Sequence, residues 1–141
     1  MELNNSNQPN INDVMQQTRI AMMENDKWAF FSALNMFLKQ AIDKNPKVLQ
    51  AATDGLTMHY NSEYMLGLTK QKRITAMAYL SMKVGLKHIL RGEGKDKEMW
   101  ETASNHAVNH VLKKHGFAEL DGWDCDERFK DNSAEEIYEV L

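Results

Sequence analysis

The sequence predicts an α+β fold dominated by helices. Three observations carry that expectation. Two long stretches, 70–91 and 97–114, space apolar residues as a helix does; one Asp54-Gly55 dipeptide divides two short segments suited to a hairpin; and 141 residues, 43% hydrophobic and 26% charged, suit one domain with a real core.

The elements follow in chain order. Residues 1–10 are rich in Asn, contain Pro9 and show no periodicity, so a flexible N-terminus is expected before a single domain over 11–141. Asn12 or Asp13 is suited to cap a first helix bearing Val14, Ile20, Ala21 and Met22. Asp26 is a candidate cap for a second, whose apolar face gathers Trp28, Phe31, Leu34, Met36, Phe37 and Ile42 and which Asn45-Pro46 would stop. Leu49–Thr53 and Leu56–Tyr60 flank the Asp-Gly turn as the small hairpin. Asn61 or Ser62 then caps a short helix through Tyr64 and Leu66.

Thr69 is suited to cap the longest helix, about 70–91, ending before Gly92 and Gly94. Its apolar centre falls on Ile74, Met77, Ala78, Ser81, Met82, Gly85 and Ile89, widened by Leu80, Val84, Leu86 and Leu90, which reads as a central helix packed on several sides. The exception is a strip at i, i+4 and i+8: Lys83, Lys87 and Arg91. A further helix from Lys97 to Lys114 turns Trp100, Ala103, Ala107 and Val111 inward and stops at His115-Gly116. Trp123 and Phe129 anchor the acidic segment that follows, and Ser133-x-x-Glu136 is a capping box opening a final helix, Ala134–Leu141.

Charge is unevenly distributed around a net of −3. Residues 69–97 hold eight Lys/Arg against two Asp/Glu, whereas 98–141 hold four against eleven. The overall balance argues against general nucleic-acid binding; the basic middle leaves a local role open. No apolar run reaches the roughly 18 residues of a membrane helix, and the first residues lack the basic and apolar parts of a secretory signal. The one cysteine, Cys125, excludes an internal disulfide and argues strongly against a Cys-based zinc site. A cytoplasmic protein with no membrane partner is expected.

From residue 52 four blocks stand in order: TDGLTMHYNSEYMLGL, GLKHILRGEGKDKEMW, WETASNHAVNHVLKKHGF and SAEEIYEVL. Together they resemble the metallopeptidase-type domain found N-terminal to von Willebrand factor A-like domains in bacterial and phage proteins. The likeness covers about 90 residues; each block alone is weak, and four in register are fairly specific. It implies a zincin-like arrangement with the motif helix at its centre. The family's chemistry rests on His-Glu-x-x-His, two histidines one turn apart on zinc and a glutamate polarising a metal-bound water. With His88 aligned on the family's later histidine, the motif falls on Tyr79, Leu80, Ser81, Met82 and Lys83, and an expected aspartate falls on Asn105. A phenol, an alkyl chain and an ammonium stand where the ligands and base would be, and an ammonium is repelled by a dication. The resemblance therefore implies no bound metal, no cofactor and no enzyme. Lys83 would fill the metal's space. The chain is expected to stop where the family's first domain stops, without the downstream von Willebrand A-like domain, and so to act alone or by docking.

Other signals have bland readings beside them. His106 and His110 are spaced i, i+4 like a chelating pair but lie off the inward face, which reads as solvent-exposed. His88 reads as a packed, hydrogen-bonded histidine; His59 and His115 have structural roles in the hairpin and at a helix end. The strip Lys83, Lys87, Arg91 is either a solvated face or, with Tyr60 and Tyr64, the rim of a basic groove. Cys125 has no base partner in the sequence. The expected function is a catalytically inactive domain that binds or regulates a protein partner through a remodelled, basic-rimmed cleft. The alternatives are an accessory factor on single-stranded nucleic acid, and a metal-dependent hydrolase rearranged around His88, His106 and His110.

Overall fold

A computed structural model describes residues 10–43, 51–53 and 57–141. Helices make up most of them: α1 (Ile11–Glu24), α2 (Ala29–Met36), α3 (Ser62–Gly67), α4 (Lys70–Gly85), α5 (His88–Arg91), α6 (Lys97–Lys114) and α7 (Ala134–Val140). Three strands join them: β1 (Lys39–Asp43), β2 (Ala51–Thr53) and β3 (Thr57–Asn61). The expected α+β, mostly helical class is found. The Asp54-Gly55 turn, the Asn45-Pro46 stop and residues 1–9 lie outside the described residues.

Most helix starts are set by side chains that accept a free backbone N–H. Asn10 caps α1, two or three residues earlier than Asn12 or Asp13, and Asn25 rather than Asp26 caps the 3-10 turn Asp26–Trp28 that leads into α2. Asn61, Thr69 and Asp96 cap α3, α4 and α6, and Ser133 with Glu136 forms the expected capping box on α7.

The sheet has the order β1-β3-β2. β2 and β3 are antiparallel, as the hairpin reading requires, with Thr53 opposite Met58. The third strand corrects the sequence reading, which ran the second helix through Ile42. α2 instead ends at Met36, and Lys39–Asp43 lies parallel to β3 with Ile42 opposite Tyr60. Arg19 of α1 explains the stop. Its guanidinium donates to Asn35 Oδ1 at 2.7 Å, to the Asn35 carbonyl at 2.9 Å and to the Leu38 carbonyl at 3.2 Å, so the groups ending the helix are satisfied without another turn. Along β3, Met58 and Tyr60 are wholly buried between half-buried Thr57, His59 and Asn61, the two-residue alternation of a strand with one face inward.

α4 occupies the centre. Ile74, Ala76, Met77, Ala78, Leu80 and Met82 pack with Met22, Phe31, Met58, Met65, Val108 and Phe117. Each fully buried Met, Leu or Phe of this kind contributes on the order of 1.5–3 kcal/mol. A second cluster joins Trp100, Ala103 and Ala107 of α6 to Phe129, Ala134 and Ile137, which fixes α7. The long helix expected to reach 91 stops at Gly85, where an added Cβ would lie 2.8 Å from Leu34 Cδ1. Lys87 then takes a left-handed conformation, φ 56°, before α5. Arg91 closes the break by donating to the Leu86 carbonyl at 2.7 Å and forming a two-pronged ion pair with Glu135.

Candidate functional site

The break after α4 separates the predicted site residues. Tyr79 and Lys83, one turn apart on α4, face Glu101, Ser104 and Asn105 on α6. Lys83 is buried, and its ammonium donates to Ser104 Oγ at 2.7 Å and Asn105 Oδ1 at 2.9 Å, with Glu101 Oε1 at 3.3 Å. Three acceptors match the three protons of an ammonium. Tyr79 donates to the same Asn105 oxygen at 2.5 Å. Burial pushes the Lys83 ammonium below its ordinary value, opposed by Glu101 and Asp124, and burial with the same two carboxylates pushes the Tyr79 phenol up.

Tyr79 and Asn105 form part of the wall of a cleft of about 350 Å³, completed by Tyr64, Leu68, Ala76, Asn109 and the segment Leu120–Asp124. That segment is drawn over α4 and α6 by hydrogen bonds. Thr75 Oγ1 donates to the Ala118 carbonyl at 2.7 Å, Asn109 Nδ2 to the Asp124 carbonyl at 3.0 Å, and Asn105 Nδ2 reaches Asp124 Oδ2 at 3.5 Å. Among the described residues the side-chain oxygen of Asn109 is buried without a hydrogen-bond partner.

The remaining predicted residues lie elsewhere. Leu80 is in the main core. His88, 2% exposed, sits beyond the helix break, its ring 5.9 Å edge-on from Trp100. Among the described residues its Nδ1 has no hydrogen-bond partner, so the hydrogen bond expected there is absent at that atom. Burial, then the Lys83 and Arg91 cations, lower its pKa to about 4. The basic strip does not form one face: Lys83 points inward, Lys87 is exposed and Arg91 is paired with Glu135. Tyr60 is fully buried and cannot line a groove, and among the described residues no lysine or arginine lines the cleft, although Lys72 pairs with Asp121 at its edge. The expected basic rim is therefore corrected.

His106 and His110 are also buried, against the expectation of exposure, because residues 117–129 fold back over α6. Asp126 N donates to His106 Nδ1 at 3.1 Å, and His110 Nε2 lies 2.6 Å from the Asp126 carbonyl. The carbonyl only accepts, so His110 carries its proton on Nε2. Both nitrogens are committed to the backbone. Cys125 is half-buried and its thiol is pushed up, chiefly by burial.

Sequence reasoning missed Glu101, Ser104, Asn109, Trp123 and Asp124 as parts of the site. Glu101, Asn105 and Asn109 at i, i+4 and i+8 were a legible polar strip on α6. Nothing in the sequence announced that Asp124 would arrive from a loop.

The family resemblance implies zinc at the Tyr79–Lys83 turn, and the donors there do not fit it. Zinc takes imidazole, thiolate or carboxylate; these positions supply a phenol hydrogen-bonded to an amide, a core leucine and an ammonium. Among the described residues no group of three or more His, Cys, Asp or Glu is arranged to hold a metal ion.

No curated protein and no solved structure matches the chain. A family model does match, over residues 12–141, and its description is "putative metallopeptidase domain". That match corrects the expectation of a non-enzyme, because the family so described points to an enzyme and replaced ligands alone do not establish inactivity. With 12–141 covered, the chain belongs to this putative metallopeptidase domain family.

Proposed function

We propose that the domain binds an extended segment of polypeptide in the cleft between α4, α6 and residues 120–124, with the Lys83 network as its floor. In this reading α4 and α6 correspond to the helices that frame the site of a zincin-like domain. The Lys83 ammonium then lies where relatives would hold a dication, its charge met by Glu101 and two neutral oxygens.

One observation carries the reading: Tyr79 and Asn105 both line the cleft and are bonded to one another beside Lys83, so the polar network between α4 and α6 opens on a concave surface. Clefts that bind ligands combine apolar and aromatic walls with a few fixed polar groups. Here Leu68, Tyr64 and Trp123 supply the first, and Asn105, Asn109 and Tyr79 the second. A peptide backbone needs both donors and acceptors, and an asparagine amide offers each. Lys83, Lys87 and Arg91 do not share one face, which removes the basic strip from the argument for a nucleic-acid partner.

The test exposes immobilised domain to a mixed library of short peptides with and without EDTA, and identifies what is retained by mass spectrometry. Retention should survive EDTA and fall at least tenfold in Trp123→Ala. The same spectra read bond cleavage, the activity to which the family description points. No retained peptide, or retention unchanged in Trp123→Ala, would overturn the reading.

A further inference from the structure

We propose that the cleft holds a subsite for a cationic side chain, a lysine or arginine of the bound polypeptide, formed by Asp124, the Asn109 side-chain oxygen and the aromatic walls. This rests on the reading of the cleft as a polypeptide site.

The charge balance is the first observation. Three carboxylates lie in or beside the cleft, Asp121, Asp124 and Glu101, against two ammoniums, Lys72 and Lys83. Lys72 is paired with Asp121 at 3.0 Å and Lys83 with Glu101 at 3.3 Å, so among the described residues Asp124 has no ion pair and feels only the longer-range attraction of Lys83 and His106. Among the described residues its one side-chain hydrogen bond is the long contact from Asn105, 3.5 Å, so acceptor capacity remains on a half-buried carboxylate.

The second observation is independent of charge. Asn109, 3% exposed, lines the same cleft, and its side-chain oxygen is buried with no partner. Buried acceptors without a donor are uncommon and costly. That oxygen is closed to water as folded, so a ligand N–H group reaches it by displacing the cleft wall beside Asn109. Tyr64, Tyr79 and Trp123 complete the wall, and aromatic faces attract ammonium and guanidinium groups. A guanidinium meets all three demands at once: charge for Asp124, a donor for Asn109 and a flat cation for the rings.

The experiment uses the full chain and three small probes: butylguanidinium, its neutral isostere butylurea, and butanoate. Binding is followed by NMR at the Trp123 indole and the Asn109 side-chain amide. Butylguanidinium should shift both resonances and bind at least tenfold more tightly than butylurea, butanoate should shift neither, and Asp124→Asn should reduce the cation's affinity about tenfold. Because Asp124→Asn could disturb the loop, the wild-type comparison of butylguanidinium with butylurea decides alone. Equal binding of those two, or no shift at either resonance with the cation, overturns the proposal. A peptide carrying norleucine in place of arginine separates the two ideas. If it binds as tightly as the arginine peptide, the cation subsite fails and the polypeptide site stands. If neither peptide binds but butylguanidinium does, the polypeptide reading fails and the cation pocket remains.

Discussion

Replacing Lys83 in two ways tests whether its ammonium is enclosed between α4 and α6. Lys83→Met keeps most of the side-chain volume and removes the charge. Two hydrogen bonds to buried oxygens are lost, each worth about 1.5–3 kcal/mol when charge-assisted. Against that loss, an ammonium no longer has to be desolvated, a relief of several kcal/mol. The partners are not stranded. Ser104 Oγ still donates to the Glu101 carbonyl at 3.1 Å, and Asn105 Oδ1 still accepts from Tyr79 at 2.5 Å. Glu101 is 59% exposed, so it regains water and its ion pair is worth at most about 1 kcal/mol. The opposing effects leave Lys83→Met about 1 kcal/mol less stable. Lys83→Glu is different in kind. It sets a carboxylate against the Asn105 oxygen and beside Glu101 with no cation to meet it, which costs about 3–5 kcal/mol. That is a large share of the 5–15 kcal/mol typical of a domain. Urea unfolding at pH 7, followed by circular dichroism, reads both variants against wild type. If Lys83→Glu unfolds within 1 kcal/mol of Lys83→Met, the side chain reaches water and the enclosed network is wrong.

Three further outcomes follow from the same contacts. His88 is held near pKa 4 from 6.5, so the unfolded chain binds a proton that the folded chain refuses; stability should fall as pH drops from 6.5 towards 4, by on the order of 1–2 kcal/mol at pH 5. His106, also lowered by burial, acts in the same direction, and His88→Gln should remove the His88 share of the slope in urea titrations at pH 7 and pH 5. Arg91 holds Glu135 down to about 2 from 4.5, a contribution present above pH 4.5 and lost as pH falls towards 2; Arg91→Lys should move the Glu135 titration up, read by NMR, and cost about 1 kcal/mol through the lost fork and the uncapped Leu86 carbonyl. Gly92→Ala places a Cβ 2.3 Å from the Trp100 ring, which is held by a 2.6 Å bond from its Nε1 to the His88 carbonyl, and should lower stability by about 1–3 kcal/mol in a thermal melt.

The helices were legible because their signals are local. Thr69, Ser133 with Glu136, and the 97–114 periodicity each act within a turn or two of chain. β1 was not legible, since Ile42 fits a helical face as well as a strand and what decides between them is Arg19, sixteen residues from the Asn35 groups it binds. The break at Lys87 was hidden for a related reason: apolar residues continue through Leu90, and only the approach of α4 to Leu34 marks the end. In the site, the alignment to family blocks named Tyr79, Lys83 and Asn105, and these three do meet. Helical spacing alone assigned Lys83 to a surface strip with Lys87 and Arg91, because periodicity places a residue on a face and does not tell which acceptors wait there. The fold-back of residues 117–129, which buries His106 and His110, depends on long-range bonds that no local pattern encodes.

The three tryptophans give the most direct test of the cleft. Trp28 and Trp100 donate their indole N–H groups to the His115 and His88 carbonyls, away from the cleft, while Trp123 lines it. A library peptide retained by the domain, titrated into 15N-labelled protein, should shift the Trp123 indole together with the Asn105 and Asn109 side-chain amides and leave the other two indoles in place. Movement of Trp28 or Trp100 with Trp123 unmoved would put the peptide on another surface and contradict the assignment of the cleft.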